Sequence, residues 1–285
     1  MRKHALKILF LFFALFLLSV GGAGEMLIRP SHRGPGDPPK DLTVESVKFG
    51  SAVHDTIAGW LVRGEPGKGV VLLVHGVRSS RQSMIGRAKF LHRLGYSVLL
   101  IDLPAHGEST GAHITYGINE GEGVKAALGF LRQQFPREKI GVIGTSLGAA
   151  SLVLAKPDPA PNAVILESMF PTIRDALKDR LDAYLGPVGE PLAPVLLYQL
   201  PLRLGIAPDQ LRPIADIGSL KAPVFIISGS KDERTTLPET RKIFEAAHSP
   251  KDLWVVEGAG HVNLYRFQPK EYEAKVSAFL AKYLR

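Results

Sequence analysis

From Val70 onward, short unbroken apolar runs take turns with stretches in which apolar residues return every three or four positions. Val70-Val71-Leu72-Leu73-Val74 and Ser97–Ile101 are such runs, the pattern of strands buried on both faces. Between them Met84, Ile85, Ala88, Leu91 and Leu94 recur at helical spacing, which makes a strand-helix-strand unit. The unit repeats with a helix over Gly123–Phe135 (Val124, Ala127, Leu128 and Leu131 on one side), a strand Ile140–Ile143, a small alanine-rich helix from Leu147, and a strand Ala163–Leu166. After about fifty residues without that alternation come strand Val224–Ser228, a helix over Glu239–Ala247, strand Leu253–Val256 and a final helix Tyr272–Leu284. Ahead of the series, Leu42–Phe49 alternates apolar and polar at period two and Thr56–Val62 follows after a short break. The pattern predicts an α/β domain over residues 42–285. Its mostly parallel, doubly wound sheet is built of these apolar runs, preceded by an antiparallel pair and interrupted by an insertion on the rim.

Within the insertion, about residues 171–213, Thr172 can cap a helix. Ile173, Ala176, Leu177, Leu181, Tyr184 and Leu185 share one face of it, with Arg174, Lys178, Asp179 and Asp182 opposite. Pro194–Leu204 is almost wholly apolar, too short to cross a bilayer and interrupted by Pro201. The insertion is expected to cover the sheet as a helical cap whose underside forms an apolar pocket.

At the amino end, Arg2, Lys3 and Lys7 precede an apolar run from Ile8 to Leu18, followed by Gly21-Gly22-Ala23-Gly24. A secretory signal has this form, with small residues placed for cleavage near Ala23. An uncleaved anchor over residues 5–23 reads equally well if Lys7 snorkels. Residues 1–24 are therefore assigned to a signal peptide or membrane anchor, and residues 25–41 to a Pro/Gly-rich linker that detaches it from the domain. Either way the domain is expected outside the cytoplasm, secreted, periplasmic or membrane-anchored.

Composition narrows the chemistry. With no cysteine among 285 residues, disulfides, thiolate metal sites and a cysteine nucleophile are excluded, so covalent catalysis falls to Ser, Asp or Lys. The net charge of +8 is partly the targeting segment; without it 32 basic side chains face 27 acidic ones, with no block of Lys or Arg. A dispersed excess reads as a solvated surface, weakly attracted to anionic lipid at most, and not as a nucleic-acid footprint. The scattered His4, His32, His54, His92, His113 and His248 show no ligand spacing, so no metal and no cofactor are expected.

The candidate chemistry centres on Lys139–Ala150. Its strand breaks at Gly144-Thr145-Ser146-Leu147-Gly148 and resumes as a helix, which puts Ser146 on a sharp, strained turn with glycines two residues to either side. A serine hydroxyl needs a base and an orienting carboxylate. The strand Val224–Ser228 runs into Asp232 and the strand Leu253–Val256 into His261, and parallel strands bring their carboxyl ends to one edge. Attack on a carbonyl also needs two N–H donors for the oxyanion. Leu147, just after the serine, offers one, and Val77, after the first parallel strand, is placed for the other, with Gly76 giving the backbone room to turn.

The segments VLLVHGVRSS, LLIDLPAHGEST, GVIGTSLGAA, VILES, ISGSKDE and GAGHVN occur in the order and spacing of the α/β-hydrolase superfamily. From about Leu42 to the end, the chain resembles its bacterial branch of serine aminopeptidase-type and Bem46-like hydrolases. The resemblance implies a nucleophile Ser146, an acid Asp232 and a base His261. Relatives commonly carry a proline about four residues after this Asp. Here Glu233 to Leu237 intervene before Pro238, which leaves Glu233 as a stand-in acid. The resemblance also implies that His106 is structural. Asp102 is read as tying down its loop, His75 as shaping the oxyanion turn and Glu167 as a structural hydrogen-bond partner. Arg78 and Arg81 could attract an anionic substrate group, but as loop arginines they are read as solvated. The function expected is cleavage of a carboxylic ester of a small-molecule or lipophilic acyl substrate. A peptidase or amidase of aminopeptidase type is the alternative; it would use cap acids such as Asp175, Asp179, Asp182 and Glu190 to hold an amine. A non-catalytic membrane-anchored binding protein is a further reading. Ser146 disfavours dehalogenation, perhydrolysis stays open, and the sequence is silent on oligomeric state.

Overall fold

The computed structural model describes residues 2–34 and 36–285; Met1 of the expected targeting segment and Pro35 of the expected linker lie outside them. Strands β1 (Val44–Gly50), β2 (Thr56–Val62), β3 (Val70–Val74), β4 (Ser97–Ile101), β5 (Ile140–Thr145), β6 (Ala163–Glu167), β7 (Val224–Gly229) and β8 (Lys251–Val256) form one sheet in the order β1-β2-β4-β3-β5-β6-β7-β8. β1 and β2 pair antiparallel, β2 meets β4 antiparallel, and β3 to β8 are parallel. The parallel part thus has six strands among the described residues, one at each of the six apolar runs read from the sequence. The edge strand β8 opens with Lys251 and Asp252 and is only half buried, so its apolar signal is the weakest of the set.

Side-chain alternation divides the core in two. Leu72, Leu99, Val142, Val164 and Ile226 face α3 (Ile118–Gln134), α4 (Leu147–Ala155) and α9 (Leu237–Ala246). Leu73, Leu100, Ile143, Ile165 and Ile227 face α2 (Ile85–Arg93) and α11 (Pro269–Leu284). Sequence periodicity places the start of α3 five residues late. The buried Glu120 accepts hydrogen bonds from the Thr115 and Gly117 N–H groups (2.8 Å each) and so starts the helix at Ile118.

The cap comprises α5 (Ile173–Leu185), α6 (Ala193–Leu197) and α7 (Gln199–Leu204), with α8 (Pro213–Asp216) leading back to β7. Thr172 caps α5 as expected, accepting from the Asp175 N–H at 3.1 Å. Ile173 and Leu177 are buried and Leu181 packs beside them, but Tyr184 and Leu185 at the last turn of α5 are exposed.

α1 spans Arg2–Ile28, four residues past the boundary expected from composition, and its end belongs to the cap. Ile28 is buried, and Val20, Ala23 and Leu27 join it against Leu177, Leu196, Leu197 and Leu200. The Gln199 amide donates to Val20 O (3.1 Å), Arg203 donates to Gly21 O (2.8 Å) and pairs with Glu25 (2.7 Å), and the Tyr116 hydroxyl donates to Leu27 O (2.8 Å). Gly24 is buried with the Gln199 side chain directly over its Cα. Beyond the helix, Ser31 bridges to His106, its N–H donating to Ala105 O at 2.8 Å. The expected detached linker is therefore tied to the domain at its first residues. α10 (Leu264–Phe267) completes the α-helices among the described residues.

Candidate active site

β5 ends one residue before Ser146 and α4 starts one residue after it. Ser146 has φ 51° and ψ −111°, a strained conformation for a residue with a Cβ, with a typical cost of about 1–3 kcal/mol. Its N–H donates to Glu167 O (2.7 Å) and its carbonyl accepts from the Ala150 N–H (3.0 Å), so both neighbouring elements fix the turn. The flanking glycines are steric requirements. A Cβ at Gly148 would lie 2.5 Å from Val74 O, and one at Gly144 2.7 Å from Ala149 N. Gly76 is different: a Cβ there would meet Ser146 Cβ at 3.5 Å, an ordinary contact, so space is not its reason for being glycine.

The loops after β7 and β8 bring Asp232 and His261 together. His261 Nδ1–H donates to Asp232, 2.9 Å from Oδ2 and 3.1 Å from Oδ1. Asp232, 4 % exposed, also accepts from Arg234 N–H (2.9 Å), Thr235 N–H (3.0 Å) and the Thr235 hydroxyl (2.9 Å). Burial pushes its carboxyl up, and the His261 hydrogen bond and charge with the two backbone donors outweigh that, holding it below the usual range. Glu233 is exposed, and Asp232, not Glu233, reaches the imidazole. The loop that departs from the common proline pattern thus supplies Thr235, a buried donor that sequence reasoning missed.

Ser146 and His261 line one cavity with Val77, Leu147 and Thr235. Among the described residues no hydrogen bond joins Ser146 Oγ to the imidazole, a separation that substrate often closes. Leu147 is the first residue of α4, where an N–H has no partner within the helix. Val77 lies in the Gly76–Ser79 turn beside Ser146. The sequence-proposed residues are therefore gathered at one sheet edge.

The remaining polar residues are structural. His75 Nε2 accepts from the Leu103 N–H (3.1 Å), so Nδ1–H donates to Gly76 O (2.7 Å); burial lowers its pKa to about 3. His106 Nδ1–H donates to Pro104 O (2.8 Å), and burial lowers its pKa to about 4. Asp102 accepts from Arg81 N–H (2.7 Å), Arg81 Nη1 (2.8 Å) and Glu108 N–H (2.9 Å), tying down its loop. Arg81 is accordingly buried, not solvated: its guanidinium pairs with Asp102 and lies 4.6 Å from the Trp60 ring centre. Glu167 is gripped by Arg87 and Tyr272 and accepts from the Thr145 hydroxyl (3.2 Å).

The cavity wall is apolar toward the cap and α1, with Leu27, Phe170, Leu177, Leu196 and Leu200. Its polar lining adds Arg180 and Arg234, and none of Asp175, Asp179, Asp182 and Glu190 takes part. Asp175 bonds Thr172, and Lys178 pairs with Asp182 (3.2 Å) and Glu190 (3.7 Å). Arg180 escaped the sequence reading, although its spacing of seven from Ile173 puts it on the apolar face of α5.

The family model described as the alpha/beta hydrolase family matches residues 71–275. The uncharacterized protein YqkD of Bacillus subtilis is 27% identical over 237 residues, 81% of this chain and 77% of that protein. Protein bem46 of Schizosaccharomyces pombe is 27% identical over 166 residues, 57% of this chain and 50% of that protein. Among solved structures, the esterase PF2001 of Pyrococcus furiosus superposes with a TM-score of 0.75 at 26% identity, covering 91% of this chain and 99% of that one.

Proposed function

The chain belongs to the alpha/beta hydrolase family, and from that premise we propose that it cleaves a carboxylic ester of a lipophilic acyl substrate through Ser146, His261 and Asp232. The observation that carries this reading is the pairing of a buried, donor-saturated Asp232 with His261 in the cavity that Ser146 faces from a strained turn. Ser146 Oγ attacks the carbonyl as His261 Nε2 takes its proton; Asp232 holds the imidazole tautomer and stabilises the imidazolium. The Leu147 and Val77 N–H groups receive the developing oxyanion. His261 then protonates the leaving alkoxide, and water releases the acid from the acyl-enzyme by the same route in reverse.

An ester is favoured over an aminopeptidase substrate because, among the described residues, no carboxylate lines the cavity to pair with a substrate amine. The similar Pyrococcus structure carries the name esterase. Ser146→Ala is expected to abolish both hydrolysis of p-nitrophenyl acetate and labelling by a fluorophosphonate. Retention of either defeats the reading, and labelling without turnover of any ester moves the substrate to an amide.

We further propose that α1 is retained as a membrane anchor. It carries 23 residues, Leu6–Ile28, with mean hydropathy 2.3, and it is exposed up to about Leu18 but packed on the cap from Val20. Cleavage near Ala23 would strip Val20, Gly21 and Ala23 from the cap. Intact-mass analysis of protein recovered from carbonate-washed membranes tests this: a mass starting near Gly24 refutes it.

A further inference from the structure

The space around Ser146 has two chemically different halves. The inner half is walled by leucines of α1, α5, α6 and α7 and by Phe170, and it holds no charge apart from two arginines at its mouth. The outer half runs past Met84, Thr145, Ser168 and Asn263. Ser146, Val77, His261, Arg180 and Arg234 line both halves, so Arg180 and Arg234 stand at the junction where the bond is cut.

Three arginines line this space, and one of them, Arg87, pairs with Glu167. Among the described residues neither Arg180 nor Arg234 has a carboxylate oxygen within 4.0 Å. Arg234 donates to the Tyr184 hydroxyl (2.9 Å) and lies 5.8 Å from that ring's centre. The groups facing Arg180 are the like charges Arg234 and Arg78 and the hydroxyls of Tyr116 and Tyr184; burial first, then those cations, disfavour its charge. Two half-buried guanidinium groups lining one cavity with no carboxylate partner leave room for an anion. Their planar forks match phosphate oxygens best.

On the serine hydrolase reading above, we propose that the substrate is an acyl ester whose alcohol part carries a phosphate, a membrane lysophospholipid or phospholipid. The acyl chain lies in the apolar inner half and the phosphate between Arg180 and Arg234. The inner half has no cation beyond its mouth, so the anion belongs to the leaving group and not to the acid. Ser146 Oγ bonds to the acyl carbon, the acyl–oxygen bond to the glycerol breaks, and the proton from Ser146 passes through His261 to the departing glycerophosphate oxygen. Water then frees the fatty acid.

The surroundings favour a lipid source. Only Leu6–Ser19 of α1 stands clear of the cap, about 21 Å of helix against a hydrocarbon core of about 30 Å. The cap is therefore drawn into the interface. Tyr198 and Leu202, on the segment whose Gln199 and Arg203 hold α1, are 70 % and 72 % exposed there.

The test uses the full chain in neutral detergent with three substrates: palmitoyl lysophosphatidylglycerol, palmitoylglycerol of the same chain, and water-soluble butyrylglycerol phosphate. The expected result is at least tenfold higher kcat/KM for the lysophospholipid than for palmitoylglycerol. That ratio should fall toward one in Arg180→Gln/Arg234→Gln and recover in part in Arg180→Lys/Arg234→Lys, with thermal melts confirming folded variants. No preference in the parent protein, or a preference that survives the double Gln change, overturns the proposal. Turnover confined to butyrylglycerol phosphate overturns the lipid source. A parent protein that no fluorophosphonate labels overturns the hydrolase reading itself, whereas labelling with an unchanged ratio overturns only the phosphate site.

Discussion

Replacing Arg87 by Met leaves the Glu167 carboxylate buried without its counter-charge. In the parent protein Arg87 Nε donates to Glu167 Oε1 (3.0 Å), Nη2 donates to Oε2, and Nη1 donates to Asn263 Oδ1 (3.1 Å). Both side chains are essentially inaccessible to water, at 2 % and 0 %. After the change only the Tyr272 and Thr145 hydroxyls remain on the carboxylate. Removing one partner of such a pair costs about 3–5 kcal/mol. Arg87→Met/Glu167→Leu, which removes both charges, is expected to cost much less than the sum of the single changes, a coupling of about 2 kcal/mol or more. Urea unfolding followed by the fluorescence of the two tryptophans, Trp60 and Trp254, measures all three variants. Activity adds a second readout, because Asn263 lies two residues beyond His261 and loses its guanidinium donor. A loss below about 1 kcal/mol in Arg87→Met, or strict additivity in the cycle, refutes the reasoning.

Asp232→Asn removes the acceptor that fixes the His261 tautomer, so kcat/KM on p-nitrophenyl esters is expected to fall by about 10³–10⁴-fold with a native far-UV spectrum; a drop under tenfold argues against this acid. Gly148→Val places side-chain atoms on the Val74 carbonyl and is expected to give misfolded or inactive protein, read by solubility and fluorophosphonate labelling. His75 and His106 are buried neutral, with pKa values lowered to about 3 and about 4. The unfolded chain therefore binds their protons first, and stability is lost as pH falls below about 6.5; melts of His75→Gln and His106→Asn from pH 7 to 4 should show a flatter slope than the parent. Asp179 behaves oppositely. Burial and then the Glu239 charge raise its pKa to about 7, so stability declines as pH rises from about 4 to 7, and Asp179→Asn should gain in melting temperature at pH 8 relative to pH 5.

The sheet was legible because each central strand is an apolar run buried on both faces, which composition alone exposes. The site was legible for the same reason: once strand ends are known, Ser146, Asp232 and His261 fall on one edge. The structure's departures come from contacts that periodicity cannot see. Arg81 looks like a loop arginine until Asp102 and Trp60 are placed around it. Tyr184 and Leu185 carry the right spacing but stay exposed, with Tyr184 meeting Arg234 and not the core, whereas Arg180 has apolar spacing and lines the cavity. Nothing in the local sequence marks Gly24 as lying beneath Gln199, 175 positions away.

The grip of the cap on α1 also sets an order of events in making the protein. Gln199 and Val20 are separated by 179 residues, so the first helix leaves the ribosome long before its partners exist. On the anchor reading proposed above, it is held in the bilayer from the outset, and the cap closes against it only after Gln199 has been made. On that reading the wall that Leu27 gives the cavity is in place only where the anchor is, and biosynthesis itself confines the finished cavity to the membrane.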